Sequence, residues 1–356
     1  MSAAELWDRL SARHLVEGDR PELQRPDSPW FVRVMLGIAG WIGALFLIGF
    51  VGAAFAFILE DAGAAALLGA ACCGGAFALF RAFDGNDFAE QFGLVASLVG
   101  QALIVVGLAH YLKAEAPPFY FAVAAVEAAL ALAVPNFLHR VLTTAGAAVA
   151  FSLGVNQLQL HGLAAPLLSV GLALVWLDPR RWAASGRIWR PIGYGLVLAL
   201  LLVETFRLFG AEWLLGLGNR APGWFGLHGP LLGRALTAAT LVWVASALSL
   251  REGQGSRISA FAVAVAIVLA LLSLEAPGLA SALLVLLLGF AAGNRILIAL
   301  GILALLGFVA HFYYSLQASL LEKSGILALT GLALLAAHLV LRFAFPASPA
   351  EGPERA

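Results

Sequence analysis

The chain has 356 residues, 62% of them hydrophobic and 12% charged, with 21 basic residues balanced by 21 acidic ones. Soluble domains carry roughly 25% charged residues, and about half that share leaves a chain of this size without a surface that water would hold in solution. A soluble enzyme and a disordered chain are therefore excluded. Nucleic-acid binding is excluded too, because the net charge is zero and no Lys/Arg stripe is present to neutralise phosphates.

The first 29 residues are polar and lack the apolar core of a cleavable signal, so none is expected. Leu6, Leu10 and His14 recur at helical spacing beside Trp7, which predicts a short amphipathic helix on the cytoplasmic leaflet. A transmembrane domain is expected over 30–345, followed by a cytoplasmic tail at 346–356. A spanning helix needs about 20 mainly apolar residues. Twelve segments come near this: 34–59, 62–80, 92–112, 119–134, 141–158, 162–177, 191–209, 230–250, 258–274, 279–293, 296–314 and 325–345. The fourth, sixth and tenth are short and read as tilted partners in tight hairpins. The expected fold is an all-α polytopic membrane bundle of about 12 transmembrane helices.

Polar and helix-breaking residues mark the divisions. Glu60-Asp61 separates the first two segments, and Arg81 to Asp87 the next two. Pro117-Pro118, Pro135-Asn136, Asp178-Pro179 and Ala276-Pro277-Gly278 each stop or start a helix, because proline lacks an N–H and restricts its predecessor. With the N-terminus inside, sixteen of the 21 basic residues fall on inner flanks; only Lys113, Arg207, Arg220, Arg234 and Lys323 fall outside. That bias is the expected one for a membrane protein with both termini in the cytoplasm. The segment 178–190, with four arginines, Trp182 and Trp189, reads as a cytoplasmic connection anchored at the headgroups, and 210–229 as the largest outer loop.

Cys72 and Cys73 are adjacent in an apolar run and read as free packing residues, since neighbouring cysteines rarely make an unstrained bridge. The chain holds 38 glycines. In lipid, helices associate where small residues let backbones approach, and Ala39 with Gly43, and Ala66, Ala70 and Gly74, have that spacing. A repeat is also visible. Trp30 matches Trp189, Glu115-Ala116-Pro117 matches Glu275-Ala276-Pro277, and Asn136 matches Asn294, all at nearly one offset. These matches predict two six-helix pseudo-repeats, 30–177 and 189–345, as in many transporters.

Two blocks carry a more specific signal. One is Ser28-Pro29-Trp30-Phe31-Val32-Arg33-Val34-Met35-Leu36-Gly37-Ile38-Ala39-Gly40-Trp41. The other is Phe312-Tyr313-Tyr314-Ser315-Leu316 with Leu320-Leu321-Glu322-Lys323-Ser324, and Leu6-Trp7-Asp8-Arg9-Leu10 fits beside them. Together they resemble an uncharacterised bacterial multi-span family, a domain of unknown function (DUF). That family tends to be encoded beside small envelope proteins bearing the GDYXXLXY signature. The resemblance implies an inner-membrane location and such a small envelope protein as partner. It implies no activity and no catalytic residue.

Familiar catalytic motifs are absent. There is no Gly-Lys-Ser/Thr phosphate loop, no His-Glu-x-x-His and no Gly-x-Ser-x-Gly. Glu60-Asp61 invites comparison with lipid-linked-sugar glycosyltransferases, but a loop of a few residues fits solvation better. Glu127 falls near the middle of the fourth segment, with Tyr120 seven residues earlier. A mid-bilayer carboxyl costs several kcal/mol unless it is neutral, paired or facing water, so Glu127 should face the bundle interior as a proton or cation site or as a structural acid. Glu204 and Arg207, three apart, can pair on one helix face. Gln101, Asn156 and Gln157 read as interhelical hydrogen-bonding groups.

A concentration of titratable groups at the outer ends defines an outer-face site: His110, Glu115, Glu275, His311, Tyr314, Glu322 and Lys323, with His161, His228, Glu60, Asp61, Glu212 and Ser315 nearby in the threading. The expected function is binding or translocation of a small polar or amphipathic envelope component. The alternatives are a scaffold for a small envelope partner and a membrane-embedded glycosyl or lipid transferase. No cofactor is expected.

Overall fold

A computed structural model of the chain describes residues 61–83, 86–208, 223–251 and 256–315, with scattered positions before residue 54. Every regular element among the described residues is a helix. Trp7, Arg9, Ser11 and Ala12 are helical, whereas Leu6, Leu10 and His14 lie outside the described residues. The described positions from Phe31 to Ala53 are helical as well. Then follow α1 (Ala62–Ala82), α2 (Asp87–Leu112), α3 (Pro117–Ala133), α4 (Phe137–Gln157), α5 (Ala164–Trp176), α6 (Pro179–Leu208), α7 (Trp224–Arg251), α8 (Ser256–Glu275), α9 (Leu279–Ala291) and α10 (Arg295–Ser315). The expected segment 325–345, with Glu322 and Lys323 before it, lies outside the described residues.

Six of these helices are long and apolar enough to cross a bilayer: Ala62–Ala82, Phe88–Leu112, Phe137–Gln157, Ser185–Leu208, Trp224–Arg251 and Arg295–Ser315. The other four, Pro117–Ala133, Ala164–Trp176, Ser259–Glu275 and Leu279–Ala291, are shorter. The 13 residues of α5 or of α9 make about 20 Å of helix, against a hydrocarbon core of about 30 Å. An expected count of about twelve full spans thus becomes, among the described residues, six long helices interleaved with four short ones.

The chain forms two compact units, Met1–Gly107 and Leu108–Ala356. In the first, Asp61 starts α1 by accepting a hydrogen bond from the Ala64 N–H at 2.9 Å. That gives Asp61 a capping role, whereas Glu60 lies outside the described residues. Helices α1 and α2 meet backbone to backbone: a methyl on Gly69 would sit 2.5 Å from the Gly100 carbonyl oxygen, and one on Gly107 2.9 Å from that of Ala62. The face of α1 in contact is therefore Ala62, Ala66, Gly69 and Cys73, while Ala70 and Gly74 are exposed. Small-residue spacing alone had placed them together; the observed face is turned by about one residue. Neither cysteine is in a disulfide, and the buried Cys73 thiol donates to the Ser97 carbonyl at 3.6 Å.

The second unit is built on hairpins and a shared core. Helices α3 and α4 pack along their lengths, as do α9 and α10, and α7 and α8; α4 also packs on α6. Asn136 caps α4 through the His139 N–H, and Asn294 caps α10 through the Ile296 and Leu297 N–H groups. Arg140 reaches back to the last carbonyls of α3, donating to Ala131 at 3.1 Å and Leu132 at 3.5 Å, where a cation also suits the helix dipole. Leu172, Val197, Leu200, Val244, Leu284, Val285 and Leu297 form a fully buried core. Thr143, bonded to the His139 carbonyl, and Thr237, bonded to that of Gly233, satisfy their buried hydroxyls within their own helices and so cost little in an apolar medium. Outward-facing apolar residues such as Leu303 and Leu306, 66% and 62% exposed, suit lipid rather than water.

The segment 178–190 proves helical for most of its length. Helix α6 begins at Pro179, breaks at Ser185, where φ is −147° and ψ is 39°, and resumes to Leu208. Trp182 Nε1 donates to the Val175 carbonyl at 2.9 Å, tying the first turn of α6 to the end of α5. Hydropathy registers only what prefers lipid, so this arginine-rich turn reads as a loop although Arg and Ala are good helix formers. Likewise the segment 210–229, expected as an outer loop, ends earlier than expected, because α7 already starts at Trp224 and carries Pro230 inside it.

Candidate functional site

The second unit holds a cavity of about 320 Å³ between the ends of α4, α6 and α10 and the start of α7. Its apolar wall includes Val149, Leu153, Val203 and Phe206; its polar lining includes Asn156, His161, Glu204, Arg207, Arg234 and His311.

Backbone contact at small residues places the polar groups. After α4 the chain turns through Gln159 and Gly162, both with positive φ. Gly229 and Gly233 on α7 lie directly against this turn, so that a methyl on either would overlap the carbonyl oxygen of His161 or Gly162. The contact brings His161 to the cavity, where it is buried, with Nδ1 2.7 Å from Asn156 Oδ1 and Nε2 3.1 Å from Gln159 Oε1. Pro230, one turn after Gly226, supplies no N–H to the Gly226 carbonyl, and both residues line the cavity.

Glu204 is buried, yet its carboxylate is well held. Oε1 accepts from the Ser281 hydroxyl of α9 at 3.0 Å, and Oε2 lies 3.8 Å from Arg207 Nη1. Arg234 donates through Nη1 to the Leu274 carbonyl at the end of α8, at 3.1 Å, while its Nε is buried without a hydrogen-bond partner. The described lining thus presents one carboxylate, two guanidinium groups and two imidazoles beside an apolar wall.

Residues expected at the outer face separate into three groups. His311 joins the cavity. Glu275 is exposed on the α8 to α9 turn, next to the lining residue Pro277, and Tyr314 is 79% exposed one turn beyond His311. His110 and Glu115 are exposed around the α2 to α3 turn and do not line the cavity, and Glu322 and Lys323 lie outside the described residues. Of the intramembrane residues, Glu204 and Arg207 line the cavity and Glu127 and Tyr120 do not. Glu127 is 7% exposed, its carboxyl facing Gly146 of α4, where a methyl would lie 3.4 Å from Oε2. Tyr120 is half-buried, edge-on to Phe119 with ring centroids 5.1 Å apart. Among the described residues no three His, Cys, Asp or Glu side chains gather to hold a metal ion. The sequence gives Arg234 no role beyond charge bias and Asn156 none beyond a structural hydrogen bond between helices. An arginine four residues into an apolar helix after Pro230 was the available signal.

A chain whose described residues form helices alone, six of them apolar and of bilayer length, is a membrane-embedded protein. It belongs to the DUF4401 family, a domain of unknown function, whose profile matches residues 29–342. The match takes in Trp30 to Trp41 and Phe312 to Ser324 but not Leu6 to Leu10. No curated protein and no solved structure matches the chain.

Proposed function

We propose that the protein binds or translocates a small polar or amphipathic component of the bacterial envelope, and that the His161–Glu204–Arg207–Arg234–His311 cavity is where it binds. The observation that carries this reading is the joining of an apolar wall to buried charge in one cavity of about 320 Å³. That volume lies at the small end of the range for ligand sites, and few but convergent polar groups are what such sites use to orient a ligand. Native mass spectrometry of the full chain in mild detergent tests it. A small molecule should remain bound to the wild type and be lost from Arg207→Gln, whose side chain is partly exposed and pairs with Glu204. Absence of any bound small molecule, with a small membrane protein retained instead, would favour the scaffold.

The same reading places the chain in the inner membrane with both termini in the cytoplasm, with about twelve segments in two halves, 30–177 and 189–345. Two observations support it. Asn136 and Asn294 each cap a helix of 21 residues, α4 and α10. In addition, Arg187, Arg190, Arg251 and Arg295, all assigned inside by the charge bias, line one cavity, while Arg207 and Arg234, both assigned outside, line another. Reporter fusions after residue 356 should behave as cytoplasmic and those after residue 220 as external; an external C-terminus would overturn the twelve-segment threading. A GDYXXLXY-type envelope protein is the proposed partner.

A further inference from the structure

A second cavity, of about 970 Å³, lies in the same unit between the end of α5, the start of α6, the end of α7 and the turn from α9 to α10. Helices α6, α7 and α10 each run from one cavity to the other, so the two occupy opposite ends of the helices. Arg187, Arg190, Arg251 and Arg295 line it, from three different helices, and no aspartate or glutamate is among the described lining residues. Its floor is aromatic: Trp176 lies 4.5 Å from Trp182 and 5.7 Å from Tyr194 between ring centroids. The Tyr194 hydroxyl accepts from Asn294 Nδ2 at 2.7 Å, which leaves its own proton to be donated.

A general preference for arginine at one membrane face explains why arginines are present, but not why four of them, from three helices, line one cavity whose described lining holds no carboxylate. The four guanidinium groups are exposed to solvent at the cavity, Arg251 also donating to the Leu177 carbonyl; grouped cations attract an anion, and guanidinium groups match phosphate oxygens with paired hydrogen bonds. Basic pockets between transmembrane helices are suited to anionic headgroups, and an aromatic floor accepts the less polar part of such a ligand. We propose that this cavity binds a phosphate-bearing anion, held by Arg187, Arg190, Arg251 and Arg295 over the Trp176–Trp182–Tyr194 floor. The phosphate belongs either to a lipid headgroup or to a soluble phosphorylated molecule.

The test uses the full chain in neutral detergent, with cardiolipin, phosphatidylcholine or inorganic pyrophosphate added, and counts bound molecules by native mass spectrometry. Cardiolipin or pyrophosphate should be retained over phosphatidylcholine. Retention should weaken by about tenfold or more in the Arg190→Gln, Arg295→Gln double variant and fall as salt is raised. Arg81→Gln, which removes a charge elsewhere, should retain the anion as the wild type does. Retention of pyrophosphate assigns a soluble ligand, and retention of cardiolipin alone assigns a lipid headgroup. If the double variant fails to accumulate, each single variant is measured, with a loss of about threefold or more expected. The proposal is overturned if neither anion exceeds phosphatidylcholine, or if the substituted chains bind as well as the wild type.

Discussion

Gly162→Ala should largely abolish recovery of folded chain from detergent. Two costs combine at this residue. Its φ of +89° lies in the region that an L side chain rarely adopts, and the added methyl would overlap the Gly229 carbonyl. Left-handed backbone costs roughly 1–2 kcal/mol for alanine and overpacking roughly 1–3 kcal/mol, so a loss of about 2–5 kcal/mol is expected from one carbon atom. That is a large share of the stability of a typical domain. Fluorescence-detected elution after extraction, together with the thermal midpoint, measures it. Gly171→Ala is the control: nothing lies within 4 Å of a methyl there, and alanine in the middle of α5 should be neutral or stabilising by up to about 1 kcal/mol. If Gly162→Ala and Gly171→Ala behave alike, α7 does not press on the turn as described, and the placement of His161 loses its basis.

The second large effect is expected at Glu127. Glu127→Lys should accumulate poorly, because its cation would replace a 7%-exposed carboxyl beside Gly146, where burial costs a charge several kcal/mol of desolvation. Glu127→Gln should accumulate normally, since an amide keeps the size and the hydrogen bonding of a neutral acid. Membrane-fraction yield and elution profile of the two variants decide this. Normal behaviour of the lysine variant would mean that the residue reaches water, and the intramembrane assignment would fall.

Much of the helix layout was legible because its punctuation is local. Pro117, Asn136, Pro277 and Asn294 act within a few residues of themselves, and expected segments such as 62–80, 279–293 and 296–314 match α1, α9 and α10 closely. Facing was less legible. Several small-residue stripes run along α1, and only the partner helix decides that Gly69 rather than Gly74 is used. Spanning length was not legible either, because an apolar run does not reveal where a helix stops inside it. The candidate site was legible in parts. Glu204 and Arg207 are neighbours on one helix, so spacing predicts their pairing. His161, Arg234 and His311 come from elements far apart in the chain, and no pattern in the sequence records that α7 lies against the turn at Gly162.

The α3–α4 hairpin also bears on how the chain is made. Asn136 closes the start of α4, and Arg140 closes the end of α3 across the same turn, so both caps are complete within a stretch from Ala131 to Arg140. None of these bonds waits for a residue synthesised later. The 17-residue α3, too short to be comfortable alone in a bilayer, therefore acquires its partner as soon as α4 emerges. A hairpin closed in this way can form as a pair, with its turn already capped, while the helices that wall the two cavities are still to come. The order of synthesis thus runs from locally closed pieces to the long-range contacts that shape the binding surfaces.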